Sequence, residues 1–262
     1  MLLAVDIGNT NIAVGLFQDK TLKAHWKLES DRKKTCDEYA VTLLNLLSLG
    51  GFPRDQIHAV IISSVLPPLT PVFQEMSRKL FGTKPLVVGP GLRTGMAILY
   101  ENPYEVGADR VVAAVAAFEK YGGPCVVVDF GTATTFDVVS SKGEYLGGVI
   151  APGVQIAGEA LYFRAAKLPH VEIKKPPRII GRTTVSSMQA GLYFGYMGLV
   201  SNIIEKIKQE LKAETTVIST GGLNSRLDQE IPSIQHYEPF LVLEGLRIIY
   251  ERNKDMNREK KS

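Results

Sequence analysis

The sequence predicts an α/β protein made of two duplicated halves, each a mixed sheet with helices packed on it. Two observations carry this. The phrase "LLAVDIGNTN" at 2 to 11 is an apolar run that stops at Asp-x-Gly and breaks into small polar residues, and "CVVVDFGTATT" at 125 to 135 repeats it. The repeat also extends beyond the phrase. Asp6 and Asp129 lie 123 residues apart, and the same offset carries the turn residues Asp19 and Lys20 onto Lys142 and Gly143. Shared spacing over a whole hairpin marks duplication more strongly than a shared tripeptide does.

Taken in order, "LLAVD", "NIAVGLF" and "LKAHWKLE" read as three successive strands, and Cys125 to Asp129, "TTFDVVS" and "EYLGGVI" read as three more. Each triplet is followed by helix-like sequence and a new strand. In the first half these are Thr35 to Leu49, where Thr35 and Glu38 have capping-box spacing, and "HAVIISSV". In the second half they are Val154 to Ala166 and Thr184 to Leu211, then "TTVISTGG". Residues 103 to 123 read as a helix with Pro near its start and glycines past its end, joining the halves. The expected division is 1–120 and 121–262, the second half ending in a basic, solvated tail.

Composition narrows the function classes. With 262 residues, 45% of them hydrophobic, the chain can bury a sizeable core. No apolar run approaches the roughly 18 residues of a membrane span, and the N-terminus runs straight into a strand without a basic leader. The expectation is a cytoplasmic protein that binds no membrane. Of the formal charge of +3, the tail at 251 to 262, with five basic and three acidic side chains, supplies +2. The body is near neutral and carries no basic stripe interleaved with aromatics, which argues against nucleic acid. Cys36 and Cys125 are the only cysteines, without C-x-x-C spacing or clustered histidines, which argues against a zinc site or a disulfide framework.

A strand ending in Asp-x-Gly and followed by Asn or Thr suits a phosphate-binding turn. Glycine lets the backbone approach an oxyanion, while N–H groups and the hydroxyls of Thr10, Thr132 and Thr135 supply donors. Asp6 and Asp129 would repel phosphates unless a cation lay between, so the pattern points to a metal-bridged nucleotide, each aspartate holding a cation directly or through water. The plainer alternative is a turn in which Asp and Asn cap backbone groups, and two copies make that alternative weaker.

The duplicated pattern resembles the superfamily of acetate and sugar kinases, chaperone ATPases and actin. That resemblance implies ribonuclease-H-like (actin-like ATPase) halves with an ATP cleft between them. Within it, "DIGNT" at 6 to 10, "GADR" at 107 to 110, "DFGTATT" at 129 to 135 and "GGVIAPG" at 147 to 153 resemble the motif set of type III pantothenate kinases. Smaller matches in the same order include "CDEY" at 36, "SSVLP" at 63, "YENP" at 100, "GRTTVSSMQAG" at 181 and "TGGL" at 220. The resemblance implies ATP-dependent phosphorylation of the primary hydroxyl of pantothenate to 4'-phosphopantothenate, the first step of coenzyme A biosynthesis. It implies ATP contacts at Asp6, Ile7, Gly8, Asn9, Thr10, Asn11, Ile12 and Ala13, and at Gly131 and Thr132. It implies Asp109 as proton acceptor, and substrate contacts at Tyr100, Gly107, Ala108, Asp109 and Arg110. Thr184 would reach the substrate from the neighbouring subunit of a homodimer. Asp129 would hold a monovalent cation, potassium or ammonium, beside the Mg2+ that accompanies ATP, with Asp6 contacting Mg2+ through water. Read from residue types alone, Asp109-Arg110 also fits an exposed helical pair, Tyr100 a loop aromatic and Thr184 a helix N-cap. Thr183 stands where many relatives have Asn.

Two rival readings remain at this stage. One is a kinase of the same superfamily acting on a sugar or small acid, which would share the phosphate turns and differ at Tyr100, Arg110 and Thr184. The other is a regulatory accessory protein of transcription, which the near-neutral body and the intact aspartates count against.

Overall fold

The structure, a computed structural model, describes residues 1–222 and 230–254. The basic tail from residue 255 and Leu223 of "TGGL" therefore lie outside the described residues. The chain divides into two compact units, one comprising Met1–Lys120 with the segment from Phe240, the other Tyr121–Pro239.

In the first unit, β1 (Leu2–Ile7), β2 (Asn11–Gln18) and β3 (Thr21–Glu29) form an antiparallel meander. Then follow α1 (Cys36–Leu49), β4 (Ala59–Ser64), α2 (Leu69–Phe81) and the two-residue strands β5 (Leu86–Val87) and β6 (Ala97–Ile98). The strand order is β3-β2-β1-β4-β5, with β4 parallel to β1 and β5 parallel to β4. Alternation along the strands sorts the two faces. Leu3, Val5, Ile7, Ile12, Val14, Val60 and Ile62 pack with Tyr39, Leu43, Leu47 and Phe73 of α1 and α2. Thr35 caps α1 with the expected reciprocal box: its Oγ1 accepts from the Glu38 N–H at 3.4 Å, and the Glu38 carboxylate accepts from the Thr35 N–H at 2.7 Å.

The linking helix is shorter than the sequence suggests. Pro103–Glu105 forms a separate 3-10 turn, with the Asn102 Oδ1 accepting from the Tyr104 N–H, and α3 begins only at Ala108 and runs to Tyr121. Val106 and Gly107 break the path between them. From Val111 to Ala117 every residue of α3 is buried, so this helix is enclosed on all sides rather than amphipathic.

The second unit repeats the first. β7 (Cys125–Phe130), β8 (Ala133–Val139) and β9 (Glu144–Pro152) form the meander, followed by α4 (Val154–Arg164), α5 (Thr184–Leu211), β10 (Thr216–Gly221) and the short β11 (His236–Tyr237). Within this unit the order β11-β10-β7-β8-β9 mirrors that of the first sheet, with β10 parallel to β7 and β11 parallel to β10. The offset of 123 maps the limits of β1 onto β7 and those of β3 onto β9. It even maps the bulge. Lys23 is left out of the β2–β3 register and Leu146 out of the β8–β9 register. The core here sets Val126, Val128, Phe130, Phe136 and Val138 against Leu192, Tyr193, Tyr196, Val200 and Ile204 of α5.

The last helix, α6 (Leu241–Asn253), departs from the sequence reading, which placed 121–262 in one half. It packs on β1, β2 and β4 of the first sheet, opposite α1 and α2. Two glycines allow the approach. A Cβ on Gly15 would meet Leu243 Cδ1 at 3.0 Å, and one on Gly245 would strike the Val112 carbonyl at 2.1 Å. Asn253, fully buried, then fastens the end of α6 to the first unit, accepting from the Arg93 N–H at 3.0 Å and donating to the Arg93 carbonyl at 2.8 Å.

Candidate active site

The end of β1 makes a tight turn. The Gly8 N–H donates to the Asn11 carbonyl at 3.0 Å, and a Cβ on Gly8 would lie 2.9 Å from that oxygen, so only glycine closes the turn without a shift. Ser30 braces it, donating its hydroxyl to the Gly8 carbonyl at 2.7 Å and its N–H to the Thr10 carbonyl at 3.0 Å. Asn9, Thr10 and Asn11 are exposed, Asp6 and Ala13 are half-buried, and Ile7 and Ile12 are fully buried. The two isoleucine side chains therefore anchor the turn in the core, and their backbone alone could meet a ligand.

The "GADR" turn lies at the same end of the first sheet. The Val65 N–H donates to the Ile7 carbonyl at 3.0 Å, and Val65 Cγ1 lies 3.4 Å from where a Gly107 Cβ would be. A side chain at Gly107 would displace the Asp109 carboxylate, because its Cβ would come within 2.6 Å of Asp109 Oδ1. Asp109 sits in the first turn of α3, half-buried, and its Oδ1 accepts from the Arg110 N–H at 2.8 Å. A carboxylate in a first helical turn is favoured by the helix dipole and by N–H donors without intrahelical partners. Ala108, Arg110 and Tyr100 are likewise half-buried. Asp6 and Ser63 are paired in register on the parallel strands β1 and β4. The Ser63 hydroxyl is fully buried and, among the described residues, has no hydrogen-bond partner.

In the second unit, Asp129 stands next to last in β7, half-buried, opposite Thr135 on one side and Thr220 on the other. The Gly131 N–H donates to the Ala133 carbonyl at 3.1 Å, leaving Gly131 and Thr132 exposed at the tip. Gly153 of "GGVIAPG" packs beneath them: its Cβ would fall 2.4 Å from the Thr132 carbonyl oxygen and 2.8 Å from that of Gly131. Gly221 of "TGGL" plays the matching part on the other side. It adopts φ +107°, and a Cβ there would lie 2.5 Å from Asp129 Oδ1 and 2.7 Å from the Phe130 carbonyl oxygen. We expect Gly221→Ala to lower stability by about 1–3 kcal/mol through backbone strain and to push the Asp129 carboxylate aside. Urea unfolding measures the first effect and a crystal structure of the variant the second; an unchanged unfolding midpoint would show that the glycine is dispensable.

Thr135 does not act as an outward donor. Its hydroxyl donates to Asp137 Oδ2 at 3.3 Å, because residues two apart on β8 share a face. Thr134 is buried against the Tyr196 hydroxyl, and burial, opposed by that hydrogen bond and reinforced by the Asp129 charge, pushes the Tyr196 phenol up to about 12. The cap of α5 is Thr183, not Thr184. The Ser186 N–H donates to Thr183 Oγ1 at 3.1 Å and the Thr183 N–H to Ser186 Oγ at 3.0 Å. The exposed Thr184 hydroxyl is therefore spared the capping role that its local sequence also allowed.

Among the described residues no three His, Cys, Asp or Glu side chains cluster to form a metal centre. Asp6 and Asp129 are instead single carboxylates beside glycine turns. This donor set fits hard cations that keep water and are shared with phosphate oxygens.

The duplicated sheets, each with its carboxylate-tipped hairpin, define a protein of the sugar-kinase and actin-like ATPase fold. Solved structures agree. ROK hexokinase from Thermus thermophilus superposes with a TM-score of 0.54 at 14% identity, covering 97% of this chain and 99% of that one. A protein from Campylobacter jejuni described as a Baf family transcriptional activator gives 0.61 at 18% identity, covering 97% and 99%, a likeness of fold alone. The chain belongs to the type III pantothenate kinase family, whose pattern matches residues 2–206. It is 54% identical to the type III pantothenate kinase of Moorella thermoacetica over 253 residues, 97% of this chain and all of that protein. It is also 54% identical to that of Geobacter sulfurreducens over 255 residues, with the same coverage.

Proposed function

We propose that this chain transfers the γ-phosphoryl group of ATP to the primary hydroxyl of pantothenate, opening coenzyme A biosynthesis in the cytoplasm. One observation carries the reading within this family: Asp109 stands half-buried at the first turn of α3, at the end of the sheet where the Gly8 turn also lies. Asp109 orients the acceptor hydroxyl and takes its proton late in the transfer. The Arg110 N–H bond to its Oδ1 fixes the carboxylate during that step. Residues 6 to 13, Gly131 and Thr132 are the contacts to ATP, Gly107 and Ala108 leave backbone open for the acceptor to lie against, and Tyr100 and Arg110 recognise its far end. When bound, Mg2+ and a monovalent cation offset phosphate charge, with Asp6 and Asp129 as their respective holders.

The active unit on this reading is a homodimer in which Thr184 completes the partner's site. Large apolar side chains left exposed on the second unit support it: Val149, Ile150, Phe163, Ile179, Ile180 and Val185 are all exposed, several by more than half. The test is purified protein with Mg2+ and ATP, offered pantothenate and a panel of sugars and small acids, in potassium and then in sodium. Phosphorylation confined to pantothenate, and strongly depressed in sodium, is the expected result. Turnover of a sugar but not of pantothenate would move the chain to the rival kinase reading, and equal rates in both salts would remove Asp129 from its cation role.

A further inference from the structure

Among the described residues three serines are fully buried, Ser63, Ser77 and Ser219. A buried hydroxyl ordinarily finds a partner, because leaving it without one costs the full desolvation of the group. Ser77 donates to the Phe73 carbonyl at 2.7 Å, and Ser219 donates to the His236 carbonyl at 3.3 Å. Ser64, next along the chain, is engaged as well, accepting from the Thr70 hydroxyl at 2.8 Å and from the Leu66 N–H at 3.2 Å. Of the three buried serines only Ser63 has no hydrogen-bond partner among the described residues.

Its neighbours in the sheet narrow what that partner is. Strand β4 lies between β1 and β5. Toward β5, the register that pairs Ile62 with Val87 continues to Val88, which is buried and apolar. Along its own strand Ile61 lies two residues before it on the same face. Wait for a polar group ends at β1, where Asp6 stands in register with Ser63 and so on the same face of the sheet. The second copy repeats this pairing. β10 lies beside β7 as β4 lies beside β1, and Thr220, only 2% exposed, is in register with Asp129. Each hairpin aspartate thus has a buried hydroxyl on the parallel strand next to it, and the two copies share that chemistry with different residue types.

We propose that Ser63 is a positioning residue for Asp6: when a magnesium nucleotide loads the Gly8 turn, its hydroxyl donates to the Asp6 carboxylate and fixes which oxygen faces the cation. The proposal rests on the Mg2+ role given to Asp6 above and adds the residue that aims it. A hydroxyl bond to an ionised carboxylate is charge-assisted and stronger than one between neutral groups. With one oxygen so engaged, the other is left for the cation or its water. In the ligand-free protein the buried hydroxyl is a cost to the fold, offset only when the carboxylate takes its working position. Removing it therefore favours the ligand-free fold and weakens the loaded state.

The test is Ser63→Ala, followed by a thermal melt without ligand and by calorimetric titration with a non-hydrolysable ATP analogue, in Mg2+ and in EDTA. The ligand-free variant should melt at or above the parent, since a buried donor without a partner is gone. Its Kd for the analogue in Mg2+ should rise about tenfold or more, the usual effect of losing a group that orients a metal holder, while its Kd in EDTA stays at the parental value. Ser63→Thr, which restores a hydroxyl of the kind found at Thr220, should regain most of the lost affinity. A ligand-free Ser63→Ala protein that melts well below the parent would make the hydroxyl part of the fold and overturn the proposal. An unchanged Kd in Mg2+, or an equal loss with and without Mg2+, would overturn it too. A parent whose binding of the analogue is indifferent to Mg2+ would overturn the cation role of Asp6 together with it.

Discussion

Asp109→Asn should fold as the parent does and turn over at least about a hundredfold more slowly, within the usual range for losing a general base. The amide keeps the size of the side chain and can still accept the Arg110 N–H at Oδ1, so the first turn of α3 keeps its local hydrogen bond. What it loses is the ability to take a proton. KM for pantothenate should change little, because the lost interaction strengthens only as the hydroxyl is deprotonated in the transition state. Steady-state kinetics with a matched thermal melt decides the matter. Near-normal turnover in the folded variant would show that positioning alone carries the reaction and would remove Asp109 as the base.

The second large effect is a gain. If the proposed shared site holds, a Thr184→Arg chain, obstructed where it would reach its partner, and an Asp109→Asn chain, disabled in its own site, should each be nearly inactive and should recover activity when mixed. In the mixed dimer one site combines the intact Asp109 of the first chain with the intact Thr184 of the second, and the other site carries both lesions. Random pairing puts half of the dimers in the mixed form, so recovery should approach about a quarter of the parental sites. Because Thr183, not Thr184, caps α5, the Thr184→Arg change leaves the helix start intact. No recovery despite confirmed subunit exchange would sink the shared site.

Much of this architecture is legible in the sequence, for physical reasons. Each central strand alternates or runs apolar up to an aspartate, and the duplicated copy supplies an independent reading of the same signal; hence the agreement at β1 with β7 and at β3 with β9. Features without a duplicate are harder to read. Helix α2 begins at Leu69 with Pro71 inside its first turn, and α6 has no partner phrase, so neither stands out until packing shows what it covers. Pro103 reads as a helix start because proline favours that position, yet here it opens its own short turn, and Gly107 resets the path before α3. At the site, residue type alone cannot decide which of two adjacent threonines caps a helix; the hydrogen bonds assign Thr183. Thr135 reads as a phosphate donor until Asp137 on the same strand face is seen to accept its hydroxyl.

The return of α6 to the first sheet has a consequence for how the chain is made. One face of that sheet is covered by α1 and α2 soon after they emerge from the ribosome, but the other waits for Leu243, Leu246 and Ile249, which are synthesised only after the whole second unit. The first unit is thus begun before the second and finished after it, with the entire second unit translated in between. A gene cut after codon 120 would encode a sheet permanently lacking one of its two covers. The duplication therefore does not yield two separable proteins, since one of its copies is completed only by a helix that follows the other.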